Sequence, residues 1–260
     1  MRIAAQLYTL RDFTKTRADF IATLEKLKAI GYHEVQLSAV GCMNGPDPEV
    51  TAKDCRAILD GLQITAPLTH RGWDEIKDRT DECIEFHKTI GAELVAIGSI
   101  PGEYKADGLD GYRRFIDDAE PAIAKLKSAG LKFAYHNHAF EFERLGPDLK
   151  QPLQIMFVRG SEDFLFEIDT YWVVHAGVDL IDLIQRFRNR IPMVHLKDKA
   201  VVGNETQMAP VGEGNLNWPG VLKALEDSGT YLAAVEQDDC YGRDPFDCLR
   251  QSLEFLNPNQ

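Results

Sequence analysis

Eight short apolar runs, separated by longer amphipathic stretches, set the narrowest limit on how this chain can fold. The runs are RIAAQLY (2–8), HEVQLS (33–38), QITAPLTH (63–70), AELVAIG (92–98), LKFAYHNH (131–138), DFLFEID (163–169), IPMVHLK (191–197) and TYLAAVEQ (230–237). Strands that are apolar on both faces and alternate with helices belong to a parallel sheet covered by those helices. The segments between the runs carry helical spacing. In RADFIATLEKLKAIG (17–31), Phe20, Leu24 and Leu27 recur at steps of four and three, and Gly31 stands where a C-cap would. DECIEFHKTIGA (81–92), YRRFIDDAEPAIAKLKSAG (112–130) and WPGVLKALEDSG (218–229) repeat the device. Eight strand–helix units in 260 residues predict an α/β fold, a single (β/α)8 TIM barrel over 1–260, rather than an open sheet. No low-complexity linker or shift in composition divides the chain.

Charge and cysteine usage narrow the partners. The formal charge of −12 repels phosphate backbones, which argues against nucleic acid and is compatible with a bound cation. Cys42, Cys55, Cys83, Cys240 and Cys248 are scattered, with no CxxC pair, as expected in a reducing compartment. The start MRIAAQLYTLRDF is too polar for a signal peptide, and no run reaches the roughly eighteen apolar residues of a membrane span. The expectation is a cytoplasmic protein acting on a small molecule, without nucleic-acid or membrane partners; a homo-oligomer is compatible with the chain.

Polar residues gather at the strand ends. A barrel of this kind builds its active site at the C-terminal ends of its strands. Here the first strand offers Gln6 and Tyr8, the second Gln36 and the third His70. The fifth offers His136, His138 and the following Glu141, the sixth Asp169, the seventh His195 and Lys197, the eighth Glu236 and Asp238. Only the fourth run offers no such polar candidate at its end. Asp169, His195 and Glu236 fall on three consecutive strands, and two carboxylates with an imidazole suit Mn²⁺, Mg²⁺, Zn²⁺ or Fe²⁺. Taken singly, Asp169 reads as a helix N-cap, His195 as a core histidine and Glu236 as an ion-pair partner. Taken together they read as one divalent-metal site, because carboxylates crowded at a barrel mouth repel unless a cation neutralises them.

The quoted pieces also carry a resemblance. QLYTLRD (6–12), YHNHAFEF (135–142), FEIDTYWVVHAG (166–177), VHLKDK (194–199), VGEGNLNWPGVLKAL (211–225) and VEQD (235–238) together resemble the xylose-isomerase-like barrels, the sugar-phosphate isomerase/epimerase superfamily. That superfamily includes tagatose 3-epimerase, hydroxypyruvate isomerase, inosose dehydratase and endonuclease IV. Its sugar-acting members hold a divalent metal with Glu, Asp, His and Glu from strands five to eight, and Asp169, His195 and Glu236 match the last three. Where the epimerases have a strand-five glutamate, this chain has His136, more like the inosose-dehydratase branch. At this departure from the family Glu141, a few residues on, is taken as the fourth ligand, with His136 and His138 as substrate contacts or acid/base groups; the alternative is that His136 or His138 binds the metal instead.

A divalent ion chelating a carbonyl and its neighbouring hydroxyl stabilises an enediolate, and a carboxylate or imidazole then moves the proton alpha to the carbonyl. The expected function is a metal-dependent isomerase or epimerase of a free or phosphorylated sugar. The alternative is a lyase acting on a keto-sugar, inosose or 3-keto-glycoside. Glu236, His138, Glu141 and Lys197 are the candidate catalytic groups. Gln6, Tyr8, Gln36, His70, His136, Trp172 and Glu213 are candidate substrate contacts, and Lys197 and Asp198 could orient substrate or neutralise the enediolate. The loop VGEGNLNWPG (211–220) lacks a P-loop ending and reads as a mobile active-site loop. His33 and His87 read as surface or packing residues. An endonuclease IV-type nuclease is disfavoured by the charge and by only seven histidines, and a non-catalytic sugar-binding barrel remains as the metal-free reading.

Overall fold

The computed structural model describes residues 1–257. Its strands are β1 (Arg2–Gln6), β2 (Glu34–Leu37), β3 (Thr65–His70), β4 (Leu94–Ile97), β5 (Lys132–His136), β6 (Phe164–Asp169), β7 (Met193–Leu196), β8 (Asp198–Val202), β9 (Glu205–Ala209) and β10 (Leu232–Val235). All but β8 and β9 close into a parallel barrel in the order β1-β10-β7-β6-β5-β4-β3-β2, so the eight expected strands and the expected α/β barrel are present. Strands β8 and β9 form a separate antiparallel hairpin, with Asp198 opposite Ala209 and Val202 opposite Glu205, which the apolar runs did not predict. Among the described residues no helix is long and apolar enough to cross a membrane.

The helices start and stop for local reasons. Thr16 accepts a hydrogen bond from the backbone N–H of Asp19 and so caps Arg17–Ile30, which Gly31 ends in a left-handed cap. The helix Thr80–Ile90 packs on β3, where His87 meets Thr69, and the long helix Gly108–Ser128 packs on β5. On its inner face Phe115 meets Trp73 at 4.6 Å between ring centroids and Tyr135 at 5.7 Å. His87 is a packing residue, fully buried against Thr69, as expected from its place outside the strand ends.

Strand parity decides what faces the lumen. Ala4, Leu68, Leu94, Ala96, Ala134, Met193, Leu232 and Ala234 form one buried cluster inside the barrel. Side chains alternate along a strand, so residues two steps further on face the same way, toward the C-terminal rim. Two steps from Ala4, Leu68, Ala134, Met193 and Ala234 stand Gln6, His70, His136, His195 and Glu236. On β6, Glu167 and then Asp169 continue the inward line from Leu165. The barrel is apolar below and polar above. On β4 the corresponding position is Gly98, where a Cβ would meet His70 Nδ1 at 3.0 Å.

Candidate active site

The rim carries a cavity of about 390 Å³ lined by Tyr8, Ser38, His70, His136, His138, Lys197, Glu236 and Asp238, among others, a volume suited to one small ligand. A hollow of about 470 Å³ among Gln185, Arg188, Ala224, Asp227 and Ser228 lies at helix ends leading into the bottoms of β7 and β10, away from this chemistry. Strand order places Glu236, at the end of β10, across the lumen from β4. The facing wall therefore offers Gly98 and Ser99, flanked by His70 of β3, His136 at the end of β5 and His138 beyond it, and among the described residues no carboxylate.

Asp169, His195 and Glu236 come together as expected, with donor atoms within 4.8 Å of one another. Asp169 divides its two oxygens between the helix and the site. Its Oδ1 accepts the backbone N–H of Trp172 at 3.0 Å, capping the next helix, while Oδ2 turns into the site. His195 Nδ1 lies 2.8 Å from Glu236 Oε2 and 3.9 Å from Asp169 Oδ2. His195 Nδ1 and Asp169 Oδ2 lack hydrogen-bond geometry and are held by charge contacts alone, at 2.8 Å from Glu236 Oε2 and 2.9 Å from Lys197 Nζ. A nitrogen and oxygens converging on one point are what a divalent cation requires. His136 Nε2 stands 3.9 Å from the same Asp169 oxygen. The donor set fits a metal.

Lys197 supplies the counter-charge in the chain itself. It is 1% exposed, with Nζ at 2.9 Å from Asp169 Oδ2, 2.8 Å from Glu236 Oε2 and 3.0 Å from Asp238 Oδ1. Burial pulls its pKa down, but these three carboxylates outweigh burial and hold it well above the usual lysine range. Burial pushes Glu236 up, and Lys197 and His195 more than offset it, so this carboxylate is held well below its ordinary value. Burial raises Asp169. Burial opposes charge on His195, but Glu167 and Glu236 prevail and lift it to about 10. Burial lowers His138 to about 4 and raises Asp238 to about 6. His138 is thus a neutral imidazole at pH 7, able to accept a proton but not standing ready as an imidazolium acid.

Several candidates lie elsewhere than expected. Glu141, taken as the fourth ligand, is outside the cluster: its two oxygens accept the Tyr135 hydroxyl and, at 2.8 Å, the His138 backbone N–H. Tyr135 has outward parity on β5, which draws Glu141 behind the barrel wall. Burial raises its pKa to about 7. Gln36, taken as a substrate contact, is fully buried beneath the cavity and spends its amide on Glu167 and His195. Gln6 is also buried, its Oε1 accepting the Tyr8 backbone N–H and its Nε2 unpartnered, while Tyr8 itself lines the cavity. Trp172 sits 5.5 Å from His138, ring to ring, with a buried unpartnered Nε1. Glu213 pairs with Arg243 on the exposed side of its loop, at 2.8 Å.

That loop is anchored, contrary to the mobile reading. Asp198 is fully buried and accepts backbone N–H groups from Lys199, Gly212, Gly214 and Leu216 and the indole N–H of Trp218. Gly214 is required there, since a Cβ would fall 2.2 Å from Asp198 Oδ1.

Glu167 was missed altogether. It is fully buried one inward step below Asp169, with His70, His136 and His195 close enough to form a second donor group with it. A lone acidic residue two positions before Asp169 in an apolar strand was the available signal.

A parallel barrel whose rim gathers carboxylates and imidazoles around one cavity is an enzyme-type architecture. The chain belongs to the xylose isomerase-like TIM barrel family, which it matches over residues 19–258. It is 21% identical over 206 residues to the inosose dehydratase of Clostridium perfringens, covering 67% of this chain and 68% of that one. Its fold is similar to that of a sugar phosphate isomerase/epimerase from Parabacteroides distasonis, with a TM-score of 0.80, 20% identity and coverage of 99% and 94% of the two chains. It is also similar to the IOLI protein with a bound zinc atom, with a TM-score of 0.65, 16% identity and coverage of 99% and 97%.

Proposed function

We propose that this protein is a divalent-metal-dependent lyase that removes water from an unphosphorylated keto-sugar or keto-cyclitol. The observation that carries the reading is that the carboxylates lining the cavity, Glu236 and Asp238, both follow β10 beside a metal-type donor set, with no carboxylate on the facing wall among the described residues. A divalent cation held by Asp169, His195 and Glu236, with His136 Nε2 as a further donor, would supply Lewis-acid polarisation of the substrate carbonyl and its neighbouring hydroxyl.

The remaining chemistry belongs to the chain. Glu236 takes the proton alpha to the carbonyl, and the C–H electron pair moves toward the carbonyl and then expels the β-hydroxyl. Glu236 returns its proton to that departing oxygen, so one carboxylate on one face serves both steps and water leaves. The enol that remains tautomerises to the ketone. Epimerisation needs proton exchange on both faces. His138, neutral and opposite, could accept a proton there, which supports an isomerase or epimerase as the second reading. His70 and His138 suit hydroxyl groups. Lys197 is the only cationic group lining the cavity among the described residues, and three carboxylates already hold it, so a phosphate would meet net negative charge. The relatedness to inosose dehydratases favours the same substrate class.

The test is incubation with Mn²⁺ or Zn²⁺ and a panel of inososes and keto-sugars in heavy water. A product lighter by one water supports the lyase. An isomeric product carrying solvent deuterium supports the second reading, and no deuterium uptake from any substrate in the panel overturns both.

A further inference from the structure

We propose that Glu167 and Gln36 form a positioning device that fixes which nitrogen of His195 carries hydrogen, leaving Nδ1 as the metal-facing lone pair. The inference rests on the metal reading above and concerns how the site is held rather than which ions it takes.

A carboxylate only accepts, so the group it meets on Gln36 must be the amide nitrogen, and Gln36 Nε2 donates to Glu167 Oε1 at 2.6 Å. That fixes the amide against flipping and turns Gln36 Oε1 toward His195 Nε2, at 2.7 Å. An amide oxygen also only accepts, so His195 Nε2 must carry hydrogen. Glu167 Oε1 lies 3.0 Å from the same nitrogen and enforces the same choice. Nδ1 is then the nitrogen that faces Asp169 Oδ2 and Glu236 Oε2, and a bound cation takes the place of the proton it otherwise shares with Glu236 at 2.8 Å. The other Glu167 oxygen accepts from His70 Nε2 and stands 3.2 Å from His136 Nδ1, a contact without hydrogen-bond geometry. Thus one buried carboxylate braces three rings, with His136 and His195 4.6 Å apart between centroids. Carboxylates behind metal-binding histidines commonly set ring orientation, and losing one weakens metal binding by about ten- to a hundredfold.

Glu167→Gln keeps the shape but presents an amide that lets Gln36 flip, so the parity is lost. Gln36→Met removes the relay while leaving the charge of Glu167 in place. The measurements are Zn²⁺ affinity by chelator competition and long-range ¹H–¹⁵N spectra of the histidine rings in the zinc-loaded protein. The expected wild-type spectrum shows His195 protonated on Nε2. Glu167→Gln should weaken zinc about ten- to a hundredfold with a shifted or mixed His195 pattern, and Gln36→Met should weaken it by a smaller factor. Unchanged affinity and an unchanged His195 pattern in both variants would overturn the inference. If wild type binds no zinc, the metal reading fails instead. The device is then read in the metal-free protein, where a His195 Nε2–H resonance that shifts in both variants supports it, and one that stays in place in both overturns it.

Discussion

Replacing Asp198 with asparagine should cost this protein more stability than most single polar substitutions. Asp198 Oδ2 accepts from the backbone of Gly212 at 2.9 Å and Gly214 at 3.0 Å and from the Trp218 indole at 2.6 Å. Its Oδ1 accepts from Lys199 at 2.8 Å and Leu216 at 3.3 Å. Asparagine keeps one acceptor oxygen. In its better orientation it retains the three donors on Oδ2 and turns its own NH₂ toward the other two N–H groups. Hydrogen bonds to a charged group contribute about 1.5–3 kcal/mol each, and one of the two lost is long, so the loss is about 3–5 kcal/mol. For a chain of this size a loss of that order lowers the melting temperature by roughly 10 °C. Scanning calorimetry measures the shift, and hydrogen exchange at residues 212, 214 and 216 should speed up selectively. A shift below about 3 °C with unchanged exchange would refute the view that Asp198 holds this loop.

Other outcomes follow from the site and the core. Asp169→Ala and Glu236→Ala should each abolish measurable Mn²⁺ binding by calorimetry while the circular dichroism spectrum stays native; unchanged affinity in both would show the ligands to be misassigned. His138→Ala separates the two readings with metal still bound: an epimerase that needs proton exchange on both faces should lose about a hundredfold in turnover, whereas the one-carboxylate lyase should show mainly a raised KM, and full activity with unchanged KM would remove its role. His87 is buried, which lowers its pKa to about 4 from an unfolded value near 6.5. The folded state therefore binds fewer protons between these values. The associated stability is intact above about pH 6.5 and falls by about 3 kcal/mol in all as pH drops to 4. Urea unfolding at pH 7 and pH 4.5 should show His87→Gln losing less stability on acidification than wild type, and equal losses would contradict this.

The barrel was legible because its strands are apolar on both faces and each is followed by a helix whose start and stop are written locally, as at Thr16 and Gly31. Asp169, His195 and Glu236 were legible because they end strands. Glu167 was not, because an acidic residue inside FLFEID looks like an interruption of a core strand until parity shows it sharing the face of Asp169. Glu141 misled for the converse reason. Proximity in sequence to the strand end suggested the site, but a hydrogen bond from the outward-facing Tyr135 draws it behind the wall. The β8–β9 hairpin was hidden because DKAVV runs on directly from the seventh apolar run and ETQMA has only two apolar residues, and their pairing rests on backbone hydrogen bonds that no side-chain pattern announces. Asp198 anchors the loop through backbone donors, which sequence does not display.

The closing seam of the barrel joins β1 to β10, with Arg2 opposite Leu232 and Ala5 opposite Val235. On the ribosome, β1 emerges first and must wait for β10, so β1 stands as an open edge through most of synthesis and β7 from its own emergence until β10 follows. The same late strand delivers Glu236. Barrel closure and completion of the rim are therefore one event in the life of a nascent chain, and an ion or small molecule that binds only the finished rim would draw that closure forward by mass action.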